Sequence, residues 1–461
     1  MTIDRKAVKV SRKLALNLDY AFIQGTYWMF YAVAGMFVSV YMLGKGYSNT
    51  AIGVVIAVGN IIAVFAQSII ANMTDRSEKI NNITVIKVLI VIMFVLTCGL
   101  LVIGKKSVAL TAVYTVLIVA HTTLHPFANA LSFMLEESGE HVSFGFGRSM
   151  GSFTAAVMGL AMGYLVAGFG VDAIPFSGII MLILMEIAII ITGRHYAQIC
   201  REKKAERPGA GESGEDRKVN NCGQNDKRLG TGNCGMRTEA EQCEEASVSC
   251  EALSGDERKD NVRNDDASVS FSEFIRNNTG FMILSVGIVG LFFGNVILEN
   301  FTIQIVKDVG GDTEQLGIAI FVMAILEMPA MLSFDKLKER FSYCLLIRVA
   351  SVFFTLKIVM MYLAQSLTFI YIAQVNQILG YGLMFPAIVS FIDHIMSKGE
   401  AVRGQAVFTA AITIGNVLGC VCGGRILDVA SVKTLLLISS VISLVGSVII
   451  FVMVKNIHQK S

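Results

Sequence analysis

Long apolar runs separated by short polar gaps recur about six times on each side of one polar stretch near residues 201–270. Ile83–Ile103, Ile174–Ile191 and Thr434–Val454 carry almost no charge, with Lys87 and Glu186 as the exceptions. A helix needs roughly 20 apolar residues to cross a hydrocarbon core about 30 Å thick. A soluble domain has no reason to repeat such runs, whereas a polytopic membrane protein must. The expected fold class is an all-α membrane protein with 12 spans, placed at 17–43, 50–72, 83–103, 108–135, 148–170, 174–193, 279–304, 315–334, 342–364, 367–395, 405–427 and 433–455.

Composition bears on this in two ways. Hydrophobic residues make up 54% of the chain and charged residues 16%, as lipid requires, and 42 glycines suit a bundle in which small residues let helices approach closely. The net charge of +2 says little about partners. The expected ones are the lipid bilayer and a small-molecule substrate, with no nucleic acid, and the chain is expected to act as a monomer. The opening MTIDRKAVKVSRK is too charged for the apolar core of a signal peptide, so no cleaved leader is expected. Cys98, Cys420 and Cys422 lie in apolar runs, and Cys222, Cys234, Cys243 and Cys250 lie in the polar stretch without metal-ligand pairing. Free thiols are the expectation, with neither a disulfide framework nor a metal site.

Lysine and arginine orient the spans. One set of gaps and tails carries Arg5, Lys6, Lys9, Arg12, Lys13, Arg76, Lys79, Lys336, Lys338, Arg340, Lys398, Arg403, Lys455 and Lys460. The opposite set is poorer, with Lys45, Lys105, Lys106, Lys307 and Lys433, and Arg425 near a span end. Both termini and the central stretch are therefore expected in the cytoplasm, as an even number of spans requires. Residues 201–270 are rich in charged and small polar residues and cannot bury enough apolar surface to fold, so they read as a disordered linker. The expected organisation is an N-terminal six-helix half at 1–200, the linker at 201–270 and a C-terminal six-helix half at 271–461. Two such halves with substrate bound between them at the midplane form the plan of many secondary transporters.

Particular residues carry a family resemblance. Ala71-Asn72-Met73-Thr74-Asp75-Arg76, after the second span, resembles the G-x-L-x-D-R loop motif of the major facilitator superfamily, with Ala71 and Met73 replacing the usual Gly and Leu. Phe334-Asp335-Lys336-Leu337-Lys338-Glu339-Arg340 echoes it after the eighth span. Asp75, Arg76 and Asp335 would belong to the loops that switch conformation. Phe144-Gly145-Phe146-Gly147-Arg148-Ser149-Met150-Gly151-Ser152 looks like the entry to the fifth helix in the branch containing lactose permease and the phenylpropionate permeases. Tyr27-Trp28-Met29-Phe30-Tyr31, Gly53 and the Gly-Tyr-Gly and Phe-Pro of Gln374–Asp393 are similar too. The resemblance implies a major facilitator fold and no enzyme activity. It implies no cofactor, with a proton gradient as the driving force.

Ionisable groups inside a bilayer are costly and mark function by default. The resemblance makes Arg148, at the head of the fifth span, a substrate ligand; otherwise it is an interfacial cation. An acid partner on the fourth span is missing, since Asn129 and Ala130 stand there, and no Trp follows Arg148 to stack on a sugar ring. Glu327 lies mid-span beside Pro329, where the branch commonly carries an acid that couples protons; a static ion pair is the alternative. Lys357, mid-way along the ninth span, needs a partner, for which Glu327 and then Glu299 are the candidates. Arg348 reads as an interface anchor. Gln377 and Gly380 fall where lactose permease has coupling groups, so a proton would have to use Glu327, Glu299, Asp19 or Glu186. His121 and His125 share a helix face, beside Pro126, with Asn129 one turn on. This spacing could serve a metal, but with no convincing third ligand a cavity or packing role is expected. His125, Asn129, Asn376 and Gln377 are thus candidate substrate ligands. Gly415, Gly419, Gly423 and Gly424 recur about once per turn, which suits close packing.

Without a Walker motif, a Rossmann glycine pattern or a nucleophile triad, ATP-driven transport and enzyme chemistry have no support. The expected function is proton-coupled symport of a sugar, oligosaccharide or nucleoside by alternating access. An organic anion or aromatic acid permease and a drug exporter are the alternatives within transport. A non-transporting sensor or scaffold that uses the long loop is the alternative outside it. A bacterial inner membrane is the location the resemblance favours.

Overall fold

The computed structural model describes residues 2–76, 81–205, 271–396 and 398–458; residues 206–270 of the expected linker lie outside them. Among the described residues the regular structure is helical throughout. The first half comprises α1 (Thr2–Phe30), a π-helical turn Tyr31–Met36, α2 (Val38–Gly44), α3 (Asn49–Arg76), α4 (Asn82–Val102), α5 (Val108–Glu136), α6 (Phe144–Phe169) and α7 (Ala173–Ala205). The second half comprises α8 (Phe271–Asn277), α9 (Thr279–Asn300), α10 (Thr302–Asp308), α11 (Thr313–Arg340), α12 (Tyr343–Leu363), α13 (Leu367–Gln374), a 3-10 turn Val375–Gln377, α14 (Tyr381–Ile395), α15 (Lys398–Val429) and α16 (Val432–His458). Among the described residues eleven helices are long and apolar enough to cross a membrane, and a pair at 12–44, bent by 41°, brings the number to 12 if it is one span.

Short polar side chains define where several spans begin. Asn81, Ser107, Ser143, Ser342 and Ser366 each accept a hydrogen bond from a backbone N–H three residues on, satisfying a donor the helix start leaves orphaned. The cap at Ser143 starts α6 at Phe144, so Arg148 sits in its second turn and not at its head. Three expected spans are interrupted. The first passes through the π turn before its bend, the seventh breaks at Phe301, and the tenth breaks between Gln374 and Tyr381. Hydropathy is blind to these breaks because residues on both sides are apolar. At Gly380 a side chain would meet the Asn376 carbonyl at 2.9 Å and the Phe354 amide at 3.3 Å, so only glycine fits the last of them.

Hydrogen bonds join the two halves at one end of the described bundle and, through Tyr31 and Glu299, within it. Every hydrogen bond found between them joins residues 31–50 to residues 299–304 or 424–428. Asp428, at the end of α15, takes the Asn49 and Thr50 amides and the Asn49 side chain at 2.7–3.0 Å, which places a carboxylate on the N-terminus of α3. Glycine permits the approach. A Cβ on Gly53 would collide with the Cys420 carbonyl, one on Gly424 with the Asn49 carbonyl, and the Gly163 and Gly317 backbones meet across α6 and α11. The expected packing role of the α15 glycines thus divides between partners: Gly415 and Gly419 face α9, and Gly424 faces α3. The closed end is the one with the short links 45–48, 170–172 and 309–312. The chain termini are at the other end.

Candidate functional site

Between the halves lies a cavity of about 310 Å³. Its first-half wall is aromatic. Glycines at 147 and 151 leave room on α6 for the rings of Tyr20 and Trp28 from α1. Trp28 then lies under Arg148, with the guanidinium carbon 4.1 Å from the ring centre. One Arg148 nitrogen donates to Ser152 at 3.0 Å. The Gly-x-x-x-Gly spacing around Arg148 therefore seats a tryptophan from another helix beneath the cation. A stacking Trp is absent from α6, and α1 supplies one.

A column of rings continues this wall. His121 is stacked between Tyr27 and Tyr31, with centroids 4.5 and 5.5 Å away, and Tyr27 also stacks on His125 at 5.5 Å. The shared face of His121 and His125 serves ring stacking, and no group of three or more His, Cys, Asp or Glu that could hold a metal occurs among the described residues. The His121 Nε2 and the Trp28 Nε1 are buried without a hydrogen-bond partner, as is the Asn416 Oδ1 on the opposite wall. All three residues line the cavity.

The second-half wall is ionisable. Glu299, Glu327, Lys357 and Gln377 line it, and both Lys357 and Gln377 are 4% exposed. Lys357 was expected to pair with Glu327 or Glu299, yet its Nζ donates to Gln377 Oε1 at 2.6 Å, and Gln377 Nε2 donates to Glu327 at 2.6 Å. An amide therefore stands between acid and base. The 3-10 turn at 375–377 aims Gln377 inward. Glu299 accepts a hydrogen bond from the Tyr31 hydroxyl of the other half. With Arg148, the cavity holds two cations and two carboxyls.

The remaining candidates lie elsewhere. Asn376, expected to face the cavity, donates to Met360 sulfur and to the Ala373 carbonyl, because successive residues of a helical turn point about 100° apart. Asn129 is one layer behind the lining, accepting from Gln24 at 3.0 Å and meeting His125 at 3.3 Å. Asp19 bonds His195 on α7 at 2.7 Å, and neither Asp19 nor Glu186 lines the cavity. Arg348 donates to the Phe451 carbonyl at 3.1 Å and lies over its ring. Arg76 is exposed in the last turn of α3; the side chains of Asp75 and Asp335 lie outside the described residues. Tyr27, Trp28, Tyr31 and Asn416 line the cavity without having been singled out as ligands. Of these, the aromatic run in the first span was visible in sequence, but which rings turn inward was not.

A model of the MFS_1 like family matches residues 20–438. No curated protein sequence matches the chain. Among solved structures, a substituted form of the nucleoside transporter NupG superposes with a TM-score of 0.67 at 14% identity, covering 96% of this chain and 99% of that one. The POT family transporter PepTSo gives 0.64 at 9% identity, covering 98% and 99%. A bacterial homolog of the human lysosomal transporter Spinster, in an inward-facing and unoccupied conformation, gives 0.57 at 14% identity, covering 98% of each. At these identities the likeness is one of fold.

Proposed function

This chain belongs to the MFS_1 like family and is a membrane-spanning secondary transporter of the major facilitator type, not an enzyme, and from that premise we propose that it couples proton entry to uptake of a small polar organic solute: a sugar, oligosaccharide or nucleoside. The observation that carries this reading is the charge arrangement of the cavity. Its two basic side chains and two carboxyls balance in number, so a neutral solute adds no uncompensated charge to a low-dielectric space. Neither carboxyl is locked by a direct ion pair. Glu327 meets an amide and Glu299 a phenol, both of which tolerate a carboxyl that gains or loses a proton. Arg148, braced on Trp28, presents its remaining donors to solute hydroxyls, and His125 flanks it.

Transport would proceed by rocking of the halves, with bonds at the closed end broken and bonds at the other end made. The lysine and arginine distribution puts the termini in the cytoplasm, so the cavity opens inward in this conformation, and the bacterial inner membrane is the proposed location. The protein would need no cofactor and would act as a monomer, with 206–270 as a passive link.

The test is uptake into proteoliposomes under an imposed inward proton gradient, across labelled sugars, nucleosides and aromatic acids. Accumulation of a sugar or nucleoside that a protonophore collapses is the expected result. Accumulation of an aromatic acid alone would move the assignment to an anion permease, with Arg148 and Lys357 as its carboxylate ligands. Absence of gradient-driven uptake of every class would remove symport.

A further inference from the structure

Six hydrogen bonds at the closed end join the halves through uncharged groups or through the exposed Asp428. One further bond differs from these in kind. The Tyr31 hydroxyl crosses from the first half to Glu299 of the second, inside the cavity, and its acceptor is a half-buried carboxyl that lines the cavity. The local fold is arranged to aim it. Tyr31 opens the π-helical turn, its ring stacks on His121, and Gly35 is the residue over which that ring lies, since any side chain there would collide with it. A π turn shifts side chains off the regular helical register and occurs often at functional sites.

We propose that Tyr31 is a positioning residue for Glu299: its hydroxyl holds the ionised carboxylate across the seam between the halves, and protonation of Glu299 loosens that tie and releases the closed end. The proposal rests on the proton-coupling reading of this cavity and gives Glu299 a role distinct from that of Glu327. The physical reason is a difference in bond strength. A hydrogen bond to an ionised group is worth roughly twice one between neutral groups, and the difference in typical net contributions corresponds to about tenfold in an equilibrium. Linkage then requires that whatever opens the seam also favours proton uptake, by the same factor. The direction follows: the closed end is tighter at high pH, where Glu299 is ionised, and looser at low pH.

The groups around the pair are few. Glu299 faces Glu327 from α11, Lys357 from α12 and Cys420 from α15, besides Tyr31. Tyr31 faces Tyr27 and Trp28 on its own helix, His121 from α5 and Tyr381 from α14. His121 is the neighbouring group whose ordinary titration falls near neutral pH, so the test must separate it from Glu299.

Cys420 supplies a probe that needs no solute and no gradient. It is fully buried, its Sγ faces Asn300, and its carbonyl lies against Gly53 of the other half. Opening of the closed end exposes it. The measurement is the rate of Cys420 alkylation by N-ethylmaleimide in the full chain in liposomes, read on its peptide by mass spectrometry. Rates are taken at about pH 5.5 and about pH 8, on either side of an ordinary histidine titration. Each is divided by the rate in unfolded protein at the same pH, which removes the thiol's own ionisation.

In the wild type, protection is expected to be about tenfold greater at the higher pH. Tyr31→Phe and Glu299→Gln should each flatten this ratio, and the double variant should equal either single one. Asp428→Asn should lower protection at both pH values and leave the ratio intact, and so should not mimic Tyr31→Phe. A wild-type ratio near unity, a wild-type ratio retained in Tyr31→Phe, or a ratio that survives Glu299→Gln would overturn the proposal; the last result would assign the titration to His121. Glu327→Gln in the same assay should keep a pH-dependent ratio. If it alone abolishes the ratio, the tie is wrong while the coupling role of Glu327 stands.

Discussion

The first half meets the cavity with stacked rings and one arginine, the second with two carboxyls, an amide and a lysine. Tyr27, Tyr31, His121 and His125 form a column held by ring faces, while Lys357, Gln377 and Glu327 form a chain of hydrogen bonds and Glu299 bonds Tyr31 beside it. The rings give a surface of fixed shape, suited to holding a solute by contact and by the orphaned Trp28 and His121 nitrogens. The polar chain gives a surface of adjustable charge. Under the proposed function the two halves would divide recognition from coupling, and alternating access would join them because one cavity touches both.

The division breaks most visibly at Glu327. Glu327→Gln keeps the amide-sized side chain but removes the proton site, so gradient-driven accumulation should fall to equilibrium while solute exchange persists. Counterflow and uphill uptake in the same vesicles measure the two, and retained accumulation would take Glu327 out of the coupling half. The next effect is on the rocking that connects the halves. Gly53→Val puts a side chain into the Cys420 carbonyl, which should cost the closed state roughly 1–3 kcal/mol. Faster alkylation of Cys420 in the folded variant is the expected signature, and unchanged protection would mean that the seam can relax around the added atoms.

On the recognition side, Trp28→Ala and Arg148→Lys should each raise the KM for uptake by about 5–30-fold, since stacking on a ring and a planar fork of donors are both lost on the order of 1–2 kcal/mol. Neither should abolish coupling, so the ratio of accumulation to exchange at saturating solute is the quantity to follow; a collapse of that ratio would erase the proposed division. The smallest effect is expected at Asn376. It bonds Met360 and its own helix rather than the cavity, and Asn376→Ala should change KM and stability by less than about 0.5 kcal/mol. A large KM effect there would place solute on a face of the tenth span that the structure turns away.

Much of the architecture was legible in sequence because lipid imposes it locally. The apolar runs at 83–103 and 342–364 became α4 and α12 within two residues. The breaks at Tyr31–Met36 and near Gly380 were not legible, since no hydropathy pattern distinguishes a straight apolar helix from an interrupted one. In the site, Glu327, Lys357 and Arg148 stood out as charges in apolar runs, and all three line the cavity. Their partners were not readable. The amide between Lys357 and Glu327 comes from a segment 20 residues from the lysine and 50 from the acid. Asn376 and Gln377 are neighbours in sequence that looked equivalent, and one turn of backbone separates their roles.

From the order of residues alone follow the solvent, the helical class, the number of spans and the symmetric division about the polar stretch, because hydrophobic transfer and backbone satisfaction act on each segment independently of its neighbours. Only the packed bundle decides that Trp28 lies beneath Arg148, that Gln377 stands between a lysine and a glutamate, and that Tyr31 reaches Glu299 across the seam. These depend on the rotation of each helix about its axis. Uniformly apolar helices constrain that rotation weakly, so it is set by glycine-lined contacts between helices far apart in the chain.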